Sequence, residues 1–325
     1  MIEISHLSRR YGELTAVDDV SIVIGQREVV GLLGHNGAGK TTVMKMLTGY
    51  LAPSGGTIRV GSLEIGRDTR AIQARIGYLP ENCPVWPDMT VAGFLEVQAA
   101  LHGVPTERRS AAIASAIRRT ALKDRALAPI HTLSRGYRQR VGVAQALLHN
   151  PAIVILDEPT NGLDPTQILH MRDLIRELAE HATVIVSTHI LQEVQAVCER
   201  VIILRQGRKV VDSRIDELQS GAGLLLTLDR GEAAVRAALK GVAGIGVARL
   251  VSEQAGRYHY ALPAGADAAP AVSTALHRAG VALYALTPER RDLETVFAEV
   301  NRVSAQLGVP ANGATASPGE VQHAA

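Results

Sequence analysis

The chain has 325 residues, room for about two domains and a sizeable core. Its 34 Lys and Arg against 32 Asp and Glu leave +2, so overall charge selects neither nucleic acid nor an acidic partner. Hydrophobic residues at 46% and charged residues at 20% argue against a disordered chain, and aromatics at 3% argue against one built to stack bases.

In chain order, residues 1–33 read as strands. Ile2, Ile4 and Leu7 open one, and Val20, Ile22 and Ile24 alternate with polar neighbours as in a half-buried strand. Val29–Leu33 is a continuous apolar run, the pattern of a strand covered on both faces, and a helix is predicted from Lys40 to about Leu47. Residues 56–65 read as a short hairpin and Ile76–Leu79 as another strand. Residues 90–150 change to Ala, Leu and Arg at helical spacing. Three or four helices are expected there, starting near Val91, Thr106 and Ser134. Strands return at Ala152–Leu156, Thr183–Val186 and Val201–Leu204, separated by helices over Gln167–Glu180 and Ile190–Cys198. That alternation implies parallel crossovers and an α/β sheet, with the helical stretch inserted in it. A boundary is expected near Ser220-Gly221. Beyond it the order strand (224–228), helix (232–239), strand (247–252), strand (257–262), helix (270–279), strand (281–286), helix (293–300) predicts a small ferredoxin-like α+β sandwich. From about Ser304 the composition predicts a disordered tail. Cys83 and Cys198 lack metal-ligand spacing and read as plain thiols of a reducing compartment. No window holds the ~18 consecutive apolar residues of a membrane span, and the first residues carry no charged-then-apolar leader, so export or membrane crossing is not expected.

Two motifs carry chemistry. Gly34-His35-Asn36-Gly37-Ala38-Gly39-Lys40-Thr41 fits G-x-x-x-x-G-K-[ST] between a buried strand and a helix. Backbone N–H groups of such a loop wrap phosphate oxygens, and the helix N-terminus adds favourable partial charge. Lys40 is expected to reach the β- and γ-phosphates and Thr41 to ligate Mg²⁺. The plainer alternative is a glycine turn capping a helix. The second motif is Ile153-Val154-Ile155-Leu156-Asp157-Glu158, an apolar strand ending in two carboxylates. Asp157 is expected to hold Mg²⁺ through water. Glu158, pointing elsewhere, is expected to polarise an attacking water. Alone this would be a solvated strand end; beside a phosphate loop it becomes specific.

With these two motifs in order, residues 1–217 resemble the nucleotide-binding subunit of the ABC transporter family, with a helical subdomain over about 88–150, followed by the small domain at 221–302 and the tail at 304–325. Leu133-Ser134-Arg135-Gly136-Tyr137-Arg138-Gln139-Arg140 resembles the family signature, Asn161-Gly162-Leu163-Asp164 its D-loop, and His189 its switch histidine. Tyr11 resembles the aromatic that stacks on adenine, Thr42 extends the phosphate loop, and Glu81 in Tyr78-Leu79-Pro80-Glu81 stands where a glutamine ligates Mg²⁺. Arg135 and Tyr137 depart from the usual glycine and glutamine. Leu-Pro-Glu is similar to an exporter-type branch that includes gliding, multidrug and copper-site maturation systems. The resemblance implies an ATP-hydrolysing subunit that binds ATP and Mg²⁺. It implies a head-to-tail dimer, with Ser134, Arg135, Gly136 and Asp164 of one copy meeting the ATP of the other, and His189 bonding the γ-phosphate. It further implies a separately encoded integral-membrane permease, a place at the cytoplasmic face of the membrane through that permease, and no nucleic-acid partner. Taken without it, Ser134 is a helix cap, His189 a histidine at a strand end and Tyr11 a surface aromatic.

Nine basic residues lie between Pro105 and Arg140 (Arg108, Arg109, Arg118, Arg119, Lys123, Arg125, Arg135, Arg138, Arg140) against Glu107 and Asp124. They read either as a solvated helix face or as a docking surface for an acidic loop or lipid headgroups. Other classes remain open on the residues: a soluble ABC-type ATPase acting on ribosomes or DNA, a small-molecule kinase, or a regulatory module in the C-terminal domain. One cassette without a heptad run disfavours the first, and Ser134-Arg135-Gly136 the second.

Overall fold

The computed structural model describes residues 1–290, 293–295 and 297. The first layer is antiparallel. Strands β1 (Ile2–Tyr11), β2 (Leu14–Ile24), β4 (Gly55–Val60) and β5 (Leu63–Glu64) lie in the order β2-β1-β4-β5. Between them in sequence come β3 (Val29–Leu33) and helix α1 (Lys40–Leu47); after them come α2 (Thr69–Gln73) and β6 (Ile76–Leu79). The sequence reading did not include α2, whose five residues are too few for a periodic signal.

The second layer is a six-stranded sheet in the order β10-β9-β3-β8-β7-β6. It adds β7 (Ile153–Asp157), β8 (Thr183–Thr188), β9 (Arg200–Arg205) and β10 (Arg208–Arg214). All its pairings are parallel except the β9–β10 edge. The continuous apolar runs divide between two cores by the strand period of two. Val30, Leu32, Ile153, Ile155, Ile185, Ile202 and Leu204 face the antiparallel layer and α1. Val29, Leu33, Val154, Leu156, Val184, Val186, Val201 and Ile203 face the other way, against helices α6 (Pro165–Ala179) and α7 (Leu191–Val197). A run that buries every residue is therefore what a two-sided strand needs.

The insertion holds three helices, α3 (Val91–Leu101), α4 (Thr106–Arg119) and α5 (Arg135–Leu147), around a core of Phe94, Leu95, Ile113, Leu122 and Val141. The Thr90 hydroxyl caps α3 and the Ser134 hydroxyl caps α5, each accepting from the backbone N–H three residues on. Helix α8 (Ile215–Gln219) leads without a loop into β11 (Ser220–Leu228), so the expected boundary at Ser220-Gly221 falls at the start of a strand. Then follow α9 (Glu232–Ala238), β12 (Arg249–Gln254), β13 (Arg257–Pro263), α10 (Ala269–Arg278) and β14 (Leu283–Arg290). Their antiparallel sheet, β12-β13-β11-β14, encloses Leu224, Leu226, Tyr260, Leu262, Val272 and Leu276. Of the helix expected over 293–300, residues 293–295 and 297 are helical; the remainder and the tail from 304 lie outside the described residues. Leu293 and Ile215 are both buried in the cassette core, and Phe297 packs against that core. Among the described residues no helix is long and apolar enough to cross a membrane.

Candidate active site

Strands β3, β8 and β7 are parallel neighbours, with Leu33 beside Thr188 and Asp157 beside Ser187. Their C-terminal ends therefore open on one edge, where ligands of open α/β sheets bind. The loop from Gly34 to Gly39 leaves β3 there. Gly37 and Gly39 adopt φ of +80° and +101°, which side-chain-bearing residues avoid. A Cβ on Gly39 would lie 2.7 Å from the Ala16 carbonyl oxygen, and one on Gly34 would lie 2.5 Å from that of Leu204. Lys40 opens α1 buried. Its Nζ donates to the Gly34 carbonyl at 2.6 Å and lies 3.8 Å from Glu158 Oε1. The cation thus closes the loop upon itself, with its charge held at the loop's mouth.

A cleft of about 710 Å³ is lined by Tyr11, by His35, Asn36, Gly37, Ala38, Gly39, Lys40, Thr41 and Thr42, and by Glu81 and Glu158. The structure so gathers most of the residues expected around a nucleotide. Tyr11 is half-exposed, and the Arg9 guanidinium rests 4.6 Å from its ring centroid. Asp157 is fully buried, and neither carboxylate oxygen has a hydrogen-bond partner among the described residues. Burial pushes its carboxyl above the usual range; the neighbouring Ser187 and Thr41 hydroxyls partly offset this. Glu158, 6% exposed, adopts φ +51° and lines the cleft. Both its oxygens take a hydrogen bond from His189 Nδ1, at 3.0 and 2.9 Å. The half-exposed imidazole of His189 is thereby oriented by the carboxylate, with Nε2 on its far side.

Ser134, Arg135, Gly136 and Asp164 are not among the residues lining this cleft. Ser134 Oγ caps α5 and Asp164 Oδ1 caps α6, accepting from Gln167 N at 2.9 Å. Gln167 also fills the space beside Gly136, and the Arg135 side chain lies on Gly162. Tyr137, the departure from glutamine, packs into the helical core between the guanidinium groups of Arg125 and Arg140, each 5.5 Å from its ring. Arg119 pairs with Glu177 at 2.7 Å and Arg109 with Glu96 at 3.7 Å, so part of the basic run serves the packing of the subdomain. Burial pushes the Cys83 thiol up to about 11 and the Cys198 thiol up to about 12, as befits unreactive packing residues.

Three contacts of this region, one of them made by Gln139 of the signature segment, have no sign in the sequence. Gln139 Nε2 donates to the Glu158 carbonyl at 3.4 Å. Buried Glu193 accepts from the hydroxyls of Thr160 and Thr188. The Phe297 ring stands 5.3 Å from that of His35. A glutamine on a helix face and a carboxylate in an amphipathic helix look solvated in sequence; only the fold buries them.

A glycine loop closed by a buried lysine, set beside a strand ending in a buried Asp-Glu pair, defines a phosphate-loop nucleotide-binding cassette with an inserted helical subdomain. The family model described as ABC transporter matches residues 17–161. The chain is 38% identical over 220 residues to an uncharacterized ABC transporter ATP-binding protein of Bacillus subtilis, YxlF, covering 67% of this chain and 72% of that one. It is 36% identical over 212 residues to the Nod factor export ATP-binding protein I of Paraburkholderia xenovorans, covering 65% and 70%. Among solved structures it is similar to the dimeric bacterial ABC transporter cassette MJ0796, at 25% identity and a TM-score of 0.62, over 66% of this chain and 99% of that one. The chain belongs to the ABC transporter ATP-binding family; it is an ATP-binding subunit and an ATPase.

Proposed function

We propose that this subunit drives a separately encoded integral-membrane permease in the direction of export. In this reading ATP closes it head to tail on a second copy, and hydrolysis reopens the pair. The observation that carries the reading is the unpartnered buried Asp157, next to a Glu158 that His189 already holds, at the mouth of the Lys40 loop. The loop N–H groups from Gly34 to Thr42 and the Lys40 ammonium bind the phosphates. Tyr11 stacks on the adenine, with Arg9 on its ring.

The donor set fits a magnesium ion. Asp157 offers two free oxygens at the end of β7, and the Thr41 hydroxyl and Glu81 line or adjoin the same cleft. Among the described residues no three His, Cys, Asp or Glu side chains form a preassembled cage. That suits an ion which takes one or two protein carboxylates and otherwise phosphate and water. When bound, the ion supplies charge neutralisation across the phosphate oxygens. Asp157, through water, Thr41 and Glu81 would hold it. Glu158 polarises the attacking water, and His189 orients Glu158 while presenting Nε2 to the γ-phosphate.

Ser134, Arg135, Gly136 and Asp164 act on the partner copy's nucleotide. They lie outside the cleft of their own chain, and the N-terminus of α5 is an anion-binding end. A nucleotide contacting both copies binds the closed pair preferentially, which is what makes closure a switch. The dimeric form named for MJ0796 and the export named for the Nod factor relative support the dimer and the direction. Leu79-Pro80-Glu81 supports the branch of gliding-motility, multidrug and copper-site maturation exporters. The subunit then sits at the cytoplasmic face of the membrane through its permease and uses no nucleic acid. We assign the cassette to residues 1–217 and type the unit at 221–302 as ferredoxin-like, on its strand–helix–strand–strand–helix–strand order and its antiparallel sheet.

The test is Glu158→Gln. With Mg·ATP the variant elutes as a dimer that retains ATP and turns over at least ~100-fold more slowly than the parent. Hydrolysis at the parental rate, or a monomer under those conditions, overturns the reading.

A further inference from the structure

We infer that Glu193 is a positioning residue for ATP hydrolysis: its buried carboxylate clamps Thr160 to Thr188 and so fixes the geometry of the Glu158–His189 pair. The inference rests on the roles proposed above for Glu158 and His189.

Glu193 stands on α7, outside every sequence motif, and is 5% exposed. Among the described residues it has no cationic partner within ion-pair distance. A carboxylate in that setting costs free energy unless its oxygens are satisfied. They are satisfied by two hydroxyls only. Thr160 Oγ1 donates to Oε1, and Thr188 Oγ1 donates to Oε2 at 2.9 Å. Both threonines are themselves buried.

The placement of these two donors gives the carboxylate its meaning. Thr160 is two residues after Glu158, and Thr188 immediately precedes His189. One side chain therefore ties the segment leaving β7 to the end of β8, across the gap in which Glu158 and His189 meet. Thr188 Oγ1 also accepts from Ile190 N at 3.1 Å, so the backbone on both sides of His189 is pinned.

Glu158 needs such support. Its φ of +51° is a left-handed conformation that a glutamate leaves readily unless its surroundings over-determine it. Its N–H donates to the Ser187 carbonyl at 2.8 Å, and its own carbonyl accepts from Asn161 N at 3.2 Å and Gln139 Nε2 at 3.4 Å. The Glu193–Thr160 bond closes the remaining side of that turn. Without it the segment relaxes toward ordinary φ, and the Glu158 carboxylate leaves the half-exposed His189. The phosphate loop, built on β3 and α1, is untouched, so nucleotide binding is spared.

The experiment is steady-state ATPase kinetics and nucleotide binding on the full chain. Glu193→Ala is expected to lower kcat about tenfold, with KM and nucleotide Kd within about twofold of the parent. Glu193→Gln keeps roughly a third of the parental kcat, since an amide accepts from one threonine and donates to the other. The double variant Thr160→Val/Thr188→Val matches Glu193→Ala, and adding Glu193→Ala to it lowers kcat no further, as for members of one unit. The proposal is overturned by an unchanged kcat in Glu193→Ala, by fully additive losses in the triple variant, or by kcat, KM and melting temperature falling together. Should Glu193→Ala fail to fold, Glu193→Gln and the valine pair, all near-isosteric, read the same quantities. Glu158→Gln run alongside separates the two failures. Its hydrolysis at the parental rate would sink the role of Glu158 itself, whereas its inactivity beside a fully active Glu193→Ala would sink the clamp alone.

Discussion

Replacing Asp157 by asparagine should move folding and function in opposite directions. The carboxylate is fully buried, and neither oxygen is hydrogen-bonded among the described residues. Burial raises its pKa above the ordinary 3.8, against the opposing pull of Ser187, Thr41 and Lys40. A carboxyl whose folded pKa exceeds its unfolded value takes up a proton on folding between the two. The site therefore weakens the fold as pH rises through that window; the whole cost stands above the folded pKa and vanishes below the unfolded one. Near neutral pH the cost of one unsatisfied buried polar group is ~1–3 kcal/mol. An asparagine is neutral, and its amide can donate to the Ser187 hydroxyl, which is likewise buried without a partner. A gain of about 2 kcal/mol corresponds to about 4–8 °C in a unit of this size. Melting followed by circular dichroism in EDTA should show that rise, shrinking as pH is lowered toward the unfolded pKa. With Mg·ATP the parent should gain stability by binding, while the variant gains little and hydrolyses at least ~100-fold more slowly. A nucleotide-free variant that melts at or below the parent refutes the view of Asp157 as an unsatisfied carboxylate held ready for a cation.

Gly39→Ala forces a Cβ to within 2.7 Å of the Ala16 carbonyl at φ +101°. Left-handed strain alone costs ~1–2 kcal/mol, so the loop should shift, melting should fall by several degrees and titrated ATP binding should weaken at least ~10-fold; parental binding would mean the loop tolerates side chains there. Ending the chain after Gln219 removes Leu293 from the cassette core. The cassette should still unfold cooperatively, but lose the ~1.5–3 kcal/mol of one buried leucine. An insoluble product would show that the cassette depends on the C-terminal unit, and an unshifted melt that the Leu293 contact is idle.

The sequence could reveal the phosphate loop and the strand to Asp157-Glu158 because each is a local arrangement. Three glycines and a lysine within seven residues fix a turn with their own backbone angles, and a five-residue apolar run declares a two-sided strand whatever surrounds it. Helix α2 and the edge strand β10 escaped because a five-residue helix and an edge strand with only three part-buried residues carry too little periodicity. What the sequence could not reveal is the geometry that makes the carboxylates useful. From spacing alone, successive strand residues point to opposite faces, which separates Glu158 from Asp157 but does not set its angle to the cleft. That angle comes with a φ that turns left-handed as the strand ends, a choice that its own residue type opposes. The forces that impose it come from residues 19 to 35 positions away: Gln139 on α5, Ser187 and His189 at the end of β8, and Glu193 acting through Thr160. The identities of the reacting groups are thus written in short motifs, whereas their aim is set by buried polar partners on three other elements. A chain can therefore keep every motif and still lose turnover.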